Sequence, residues 1–158
     1  MASAAPFQLI CHGPGAPALR LGLGPGWRPV QALLQLQRLF DQHSFWAQDR
    51  RPADLGEMLR ASAAVVSIWQ GQQLVAFGRA CSDGLYRAVL WDVVVATDHQ
   101  GRGLGRQLVS ALLTHPRLRR VERVYLMTSN SSGFYEQLGF NVVKEQQLML
   151  LKPEASSG

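Results

Sequence analysis

YRAVLWDVVVATDHQGRGLGRQLVSALL, residues 86–113, passes from an extended apolar run through a glycine-spaced loop into a helical pattern. Tyr86 to Ala96 is apolar at nearly every position, which predicts a strand covered on both faces and therefore central in its sheet. Gly103 to Leu113 carries apolar residues at helical spacing, and Val121 to Met127 is extended again. Strand, helix and strand in this order form a βαβ unit, whose crossover is right-handed and whose strands are parallel. The fold class is therefore α/β or α+β, with a mixed sheet.

Upstream, Ala64 to Gln70 is β-branched and apolar, Gly71-Gln72 reads as a turn, and Leu74 to Cys81 follows as a second strand, so a hairpin is predicted. Asp83-Gly84 marks the next turn. Pro52 suits a first helical turn, with Leu55, Met58 and Leu59 then sharing one face. Val30 to Phe40 has Val30, Leu33, Leu34 and Phe40 at helical spacing and makes an earlier helix. Between Gly13 and Pro29 nine of seventeen residues are Gly or Pro, which reads as a loop, and Phe7 to Cys11 before it reads as an edge strand. Downstream, Gly133 to Leu138 is read as helical, Val142 to Leu151 as a final hairpin or strand pair, and residues 152–158 as a frayed tail. No internal repeat is present.

The chain of 158 residues fits one compact domain, 1–158, with a Gly/Pro-rich N-terminal segment over 1–30. Its 47% apolar and 17% charged residues differ from the composition of disordered chains, and no apolar run approaches the roughly 20 residues that span a bilayer. A soluble protein acting away from membranes is expected. The net charge of +5 rests on 14 Arg against 2 Lys; it permits anionic ligands without requiring nucleic acid. Cys11 and Cys81 stand apart with no CxxC, and His12, His43, His99 and His115 lack metal spacing, so neither a disulfide framework nor a metal site is expected. No signal or transit pattern opens the sequence, so a cytoplasmic setting is the expectation.

Gln100-Gly101-Arg102-Gly103-Leu104-Gly105 lies between the apolar strand and the amphipathic helix. There, unpaired backbone N–H groups and the helix dipole make an anion site. Glycine lets the backbone come close to a diphosphate, and Arg102 and Arg106 supply charge. A dinucleotide fingerprint would need glycine where Arg106 stands, and a P-loop would need Lys followed by Ser or Thr, so both are excluded. A phosphorylated cofactor is the predicted ligand.

Val93-Val94-Val95 followed by Gln100 to Gly105 resembles the acetyl-CoA-binding motif of the GNAT superfamily of N-acetyltransferases. Asn130 and Phe134-Tyr135-Glu136-Gln137-Leu138-Gly139-Phe140 resemble that family's later motif, in which a tyrosine faces the CoA sulfur. The resemblance covers roughly residues 63 to 151. Around Trp91-Asp92-Val93 it extends to small cyanobacterial and plastid-type acetyltransferases, including those acting on serotonin.

The resemblance implies a mostly antiparallel sheet whose parallel strands splay apart, leaving backbone groups near Val93 and Val95 free for the pantetheine arm and the thioester carbonyl. Acetyl-CoA is the implied cosubstrate, with its pyrophosphate over Gln100 to Arg106. Asn130 and Phe134 join the cofactor set, and Tyr135 is the implied general acid toward the CoA sulfur. A phenol is a protonated donor at neutral pH.

Asp92 is the only carboxylate in the apolar strand. Desolvation is expected to raise its pKa and make it a base, while a structural carboxylate bonded to backbone or an arginine is the alternative. Phe45, Trp46, Trp69 and Trp91 are read as the wall of an acceptor pocket, with burial in the core as the competing role. His99, beside the loop, is expected to face solvent, with contact to cofactor or substrate as the alternative, and Arg117, Arg119, Arg120 and Arg123 are expected to be solvated charges at a helix C-terminus in preference to cofactor ligands.

The expected activity is transfer of an acetyl group to a primary amine, an arylalkylamine such as serotonin, in a ternary complex. Acetylation of a protein N-terminus or lysine is an alternative acceptor class, and an acyl-CoA-sensing module without turnover is an alternative class of function. The expected oligomeric state is monomer or homodimer.

Overall fold

Ala64–Gln70 (β2) and Gln73–Ser82 (β3) pair antiparallel about Gly71, whose φ of +59° makes the tight turn. The computed structural model describes residues 4–12 and 29–154. The expected loop over 13–29 lies, up to Arg28, outside the described residues.

The chain divides into two compact units, Met1–Met127 and Thr128–Gly158. In the first, Phe7–His12 (β1) runs antiparallel to β2, and Arg87–Val95 (β4) runs antiparallel to β3. Arg123–Tyr125 (β5) runs parallel to β4. The strand order is β1-β2-β3-β4-β5, so the sheet is mixed and mostly antiparallel with one parallel pair, as the sequence predicts. β1 is an edge strand, again as expected.

The most apolar strand is not the central one. β3 holds the middle, while β4 stands fourth and alternates buried with half-buried residues. Its half-buried set, Val89, Trp91, Val93 and Val95, is as apolar as its buried set, so composition alone could not reveal which residues are less covered.

Pro29–His43 (α1) and Pro52–Ala61 (α2) cover one face. Pro52 occupies the first turn of α2, where the missing N–H costs no hydrogen bond, and Leu55 and Leu59 fall one turn apart on its buried side. α1 buries Leu36, Leu39 and Phe40 against Val65, Phe77 and Val94 of the sheet. Each fully buried large side chain contributes roughly 1.5–3 kcal/mol. Leu34, expected on the inner face, points outward, because the buried stripe runs through Ala32, Leu36 and Leu39.

Leu104–Leu113 (α3) packs on β2, β3 and β4. It comes so close to β3 that a Cβ on Gly78 would lie 3.1 Å from Leu112 and 3.3 Å from Leu108. Glycine is therefore favoured there by close approach, not by a turn.

In the second unit, Ser132–Glu136 (α4) is a single short helix. The strand pair expected over 142–151 is not formed; the structure gives this stretch neither strand nor helix. Val142-Val143 and Leu148 to Leu151 are separated by Lys144-Glu145-Gln146-Gln147, and an isolated two-stranded hairpin is at best marginal in water.

Candidate functional site

The β4–β5 ladder joins Arg87 to Arg123, Ala88 to Val124 and Val89 to Tyr125, and stops there, although β4 continues to Val95. Leu90 to Val95 therefore presents one edge with no strand partner among the described residues, the opening expected of the splayed pair. Gln100 Nε2 donates to the Val95 carbonyl at 3.2 Å. That carbonyl is thus already engaged, contrary to the expectation that it stands free.

A bulge shapes the same stretch. Arg79 pairs with Trp91 and Phe77 with Val94, so Asp92 and Val93 together oppose Gly78. Asp92 takes the extra position with φ +55°, a left-handed conformation that aspartate tolerates better than β-branched residues. Trp91, across from Arg79, and Asp92, bonded to Arg79, therefore share the face covered by α1 and α2.

Three donors converge on Asp92. Trp46 Nε1 donates to Oδ1 at 3.2 Å; Arg50 Nη1 and Arg79 Nε donate to Oδ2 at 3.0 and 2.8 Å. Burial would push the carboxyl upward, but hydrogen bonds and charge from Arg50 and Arg79 outweigh it and hold the group below the ordinary carboxylate range. This reverses the upward shift expected from burial alone and realises the alternative of an arginine-bonded carboxylate. Arg79 also reaches Ser62 Oγ and Cys81 Sγ, and Arg50 reaches Met58 Sδ with its guanidinium over the Phe40 ring. Neither arginine was foreseen. A lone cation in β3 across from the lone carboxylate in β4 was the available signal for Arg79.

Past the strand, Thr97–His99 form a single 3-10 turn before the glycine loop. Gly101 and Gly103 both have φ +78°, and a Cβ at either would meet nothing within 4 Å, so the loop opens outward. Gly103 caps α3 without a side-chain bond, and the first helical bond runs from Gln107 N–H to Gly103 O. The N–H groups of Leu104, Gly105 and Arg106 are left to a ligand or solvent. With no acidic residue in the first turn and with Arg102 and Arg106 exposed, this cradle fits a diphosphate. Leu104 itself is buried and anchors the helix.

His99 is buried, contrary to the expected solvent-facing position. Its Nδ1 lies 3.0 Å from Asp98 Oδ1 and its Nε2 3.0 Å from Gln70 Oε1, tying the loop entrance to β2. From α1, His43 Nδ1 accepts the Thr97 N–H at 3.1 Å.

In the second unit Tyr135 is half-buried between Phe134 and Phe140, with ring centroids 5.0 and 5.8 Å away. Burial pushes its phenol above the ordinary tyrosine value, so it stays protonated at neutral pH. The main chain turns back at Gly139, φ +97°, and Phe140 N–H reaches Tyr135 O. Asn130 is exposed, its Oδ1 accepting from Ser131 Oγ.

The four aromatic residues separate. Phe45 and Trp46 are exposed by 67% and 47% and pack edge to face, and Trp91 is half-buried beside Asp92. Trp69 is in the core at 3% exposure and donates to Ser67 Oγ, so it walls no pocket. The large indole fills the space under α1, and its one polar atom finds a partner there.

The Acetyltransferase (GNAT) family pattern matches residues 30–140. The chain belongs to the GNAT family of acetyltransferases. Its relatives include a ycf52 protein of Pyropia yezoensis named as an uncharacterized N-acetyltransferase, 30% identical over 68% of this chain and 64% of that protein. Another is the chloroplastic serotonin N-acetyltransferase 2 of Oryza sativa subsp. japonica, 45% identical over 42% of this chain and 34% of that protein. The chain thus spans less than two thirds of the length of these curated relatives. Among solved structures, a GNAT-family protein of Xanthomonas campestris pv. campestris superposes with a TM-score of 0.70 at 25% identity, covering 98% of this chain and 99% of that one. An aminoglycoside N-acetyltransferase in complex with CoA reaches 0.67 at 13% identity over 98% and 99%, a likeness of fold.

Within this GNAT domain, the first unit brings together the open edge of β4, the glycine cradle and the Trp46–Asp92 cluster. No helix of the described residues is long and apolar enough to cross a membrane, and no group of three or more His, Cys, Asp or Glu among them is placed to hold a metal ion.

Proposed function

We propose that the chain is one catalytic domain that transfers the acetyl group of acetyl-CoA to a primary amine by direct attack in a ternary complex. The observation carrying this reading is the β4 edge that loses its partner after Val89 and leads directly into the uncapped, glycine-lined start of α3. The main-chain amides of 101–106, with Arg102 and Arg106, hold the diphosphate. The pantetheine arm follows Val93 to Val95 along the strand's unpaired edge, where the Val95 carbonyl is shared with Gln100. Asn130 and Phe134 complete the cofactor contacts.

The acceptor approaches from the side of Phe45, Trp46 and Trp91. Its neutral nitrogen attacks the thioester carbonyl; the C–N bond forms, the C–S bond breaks, and the attacking nitrogen releases a proton to water. Tyr135 delivers its phenolic proton to the departing sulfur and is reprotonated from solvent. Asp92, ionised and bonded to three donors, fixes the wall on which the acceptor rests and is not assigned the role of base. Arylalkylamines are the acceptors suggested by aromatic walls and by the partial likeness to the rice protein; a protein N-terminus or lysine is the second class.

The test is free-thiol release from acetyl-CoA with tryptamine, serotonin, polyamines and peptides as acceptors. Release with a small amine supports the reading. Release with peptides alone reassigns the acceptor, and acetyl-CoA binding without release from any acceptor would leave a sensing module.

A further inference from the structure

Two guanidinium groups, Arg79 of β3 and Arg50 of the linker between α1 and α2, share the Asp92 carboxylate. Arg79 is the more enclosed of the two, at 16% side-chain exposure, and makes the shorter contact with Asp92, itself 3% exposed. It neutralises the acid, with Trp46 satisfying the other oxygen. Arg50 is then surplus: its side chain is 33% exposed, and among the described residues it has no other carboxylate partner. The neighbouring Arg51 is already paired with Asp54.

Arg50 is also oriented. Its Nη1 is committed to Asp92 and Met58, and its plane lies over the Phe40 ring at 5.4 Å, while among the described residues Nε and Nη2 donate to nothing. A guanidinium held in place with donors unused is preorganised for a carboxylate, because little conformational freedom remains to be lost on binding. It sits in the linker that carries Phe45 and Trp46, on the side of β4 that displays Trp91.

We infer that Arg50 reads a carboxylate on the acceptor, so that the preferred substrate is a small aromatic amine that also bears a carboxylate. This rests on the acetyl-transfer reading above and narrows its acceptor. The surplus positive charge acts twice: it attracts the carboxylate, and it disfavours the protonated form of the amine nearby, leaving the neutral nucleophile that the reaction needs. A simple arylalkylamine gains only the second effect.

The experiment compares tryptophan with tryptamine, which differ only in the carboxylate, in thiol release by the native chain and by Arg50→Gln and Arg50→Lys. The expected kcat/KM ratio favours tryptophan by about tenfold or more, the scale of one charge-assisted hydrogen bond. It falls toward one in Arg50→Gln through KM and recovers partly in Arg50→Lys. A native preference for tryptamine, or a ratio insensitive to Arg50→Gln, overturns the inference.

A binding arm keeps this outcome separate from failure of acetyl transfer itself. Calorimetry with indole-3-propionate and its amide should show the carboxylate bound more tightly, with that advantage lost in Arg50→Gln. Absence of thiol release from every acceptor would count against the transferase reading, while equal affinity for acid and amide would overturn the carboxylate reading.

Discussion

Arg79 Nε lies 2.8 Å from Asp92 Oδ2 across the β3–β4 ladder, where Asp92 occupies a bulge at φ +55°. The ion pair and the bulge depend on each other. The extra residue turns the carboxylate toward Arg79 and Arg50, and these charges hold it in a backbone conformation that costs a non-glycine residue about 1–3 kcal/mol.

Asp92→Asn should therefore destabilise the fold by about 2–4 kcal/mol, since it leaves the enclosed Arg79 without a counter-charge; the upper range of such losses applies to fully buried pairs. Urea unfolding checks it, and a change below 0.5 kcal/mol would mean that the cluster is not coupled to folding.

The acid dependence carries a definite sign. Asp92 has a folded pKa below its unfolded value, so its contribution is complete above about pH 4, the unfolded range, and is lost as pH falls through the lower folded value. The urea midpoints of the native chain and Asp92→Asn should differ at pH 7 and converge as acid is added below pH 4. A gap that persists at the lowest pH would assign the Asp92 contribution to packing instead of charge.

Much of this fold was legible because local signals agree with tertiary ones. The change from an apolar run to a 3.6 period between Val95 and Leu104 fixes the strand–loop–helix order, and Pro52 and Gly71 mark their elements through backbone constraints. The Asp92 bulge was not legible: aspartate tolerates a positive φ, but its place between Trp91 and Val93 in an apolar strand does not announce one. The cluster of Trp46, Arg50, Arg79 and Asp92 joins three segments far apart in sequence, and only the fold brings them together. Trp69 and Trp91 look alike as strand tryptophans, yet packing under α1 buries the first and leaves the second half-open.

Tyr135→Phe should lower kcat by about 10²-fold, the lower range for general acid catalysis, and leave acetyl-CoA affinity unchanged. Because burial raises the phenol, its acid form persists through neutral pH, and no loss of activity from Tyr135 ionisation is expected below about pH 10. Steady-state kinetics with calorimetry separates the two parameters; unaltered turnover would remove Tyr135 from the acid role.

Gly103→Val should weaken acetyl-CoA binding by at least about tenfold. The free loop has room for a Cβ, but φ +78° is strained for a β-branched residue, and the new side chain stands where the loop meets its ligand. Calorimetric affinity is the measure, with Arg106→Gln expected to weaken binding less than the backbone change; equal affinity in Gly103→Val would count against this loop as the diphosphate site.

The most direct measurement is an amide-resolved NMR titration of the native chain with acetyl-CoA. Diphosphate binding at the glycine cradle requires that the N–H resonances of residues 101–106 move most, by direct hydrogen bonding, and that Val93 and Val95 follow along the open edge of β4. Saturable binding that leaves the 101–106 amides where they stand in the free protein would contradict it.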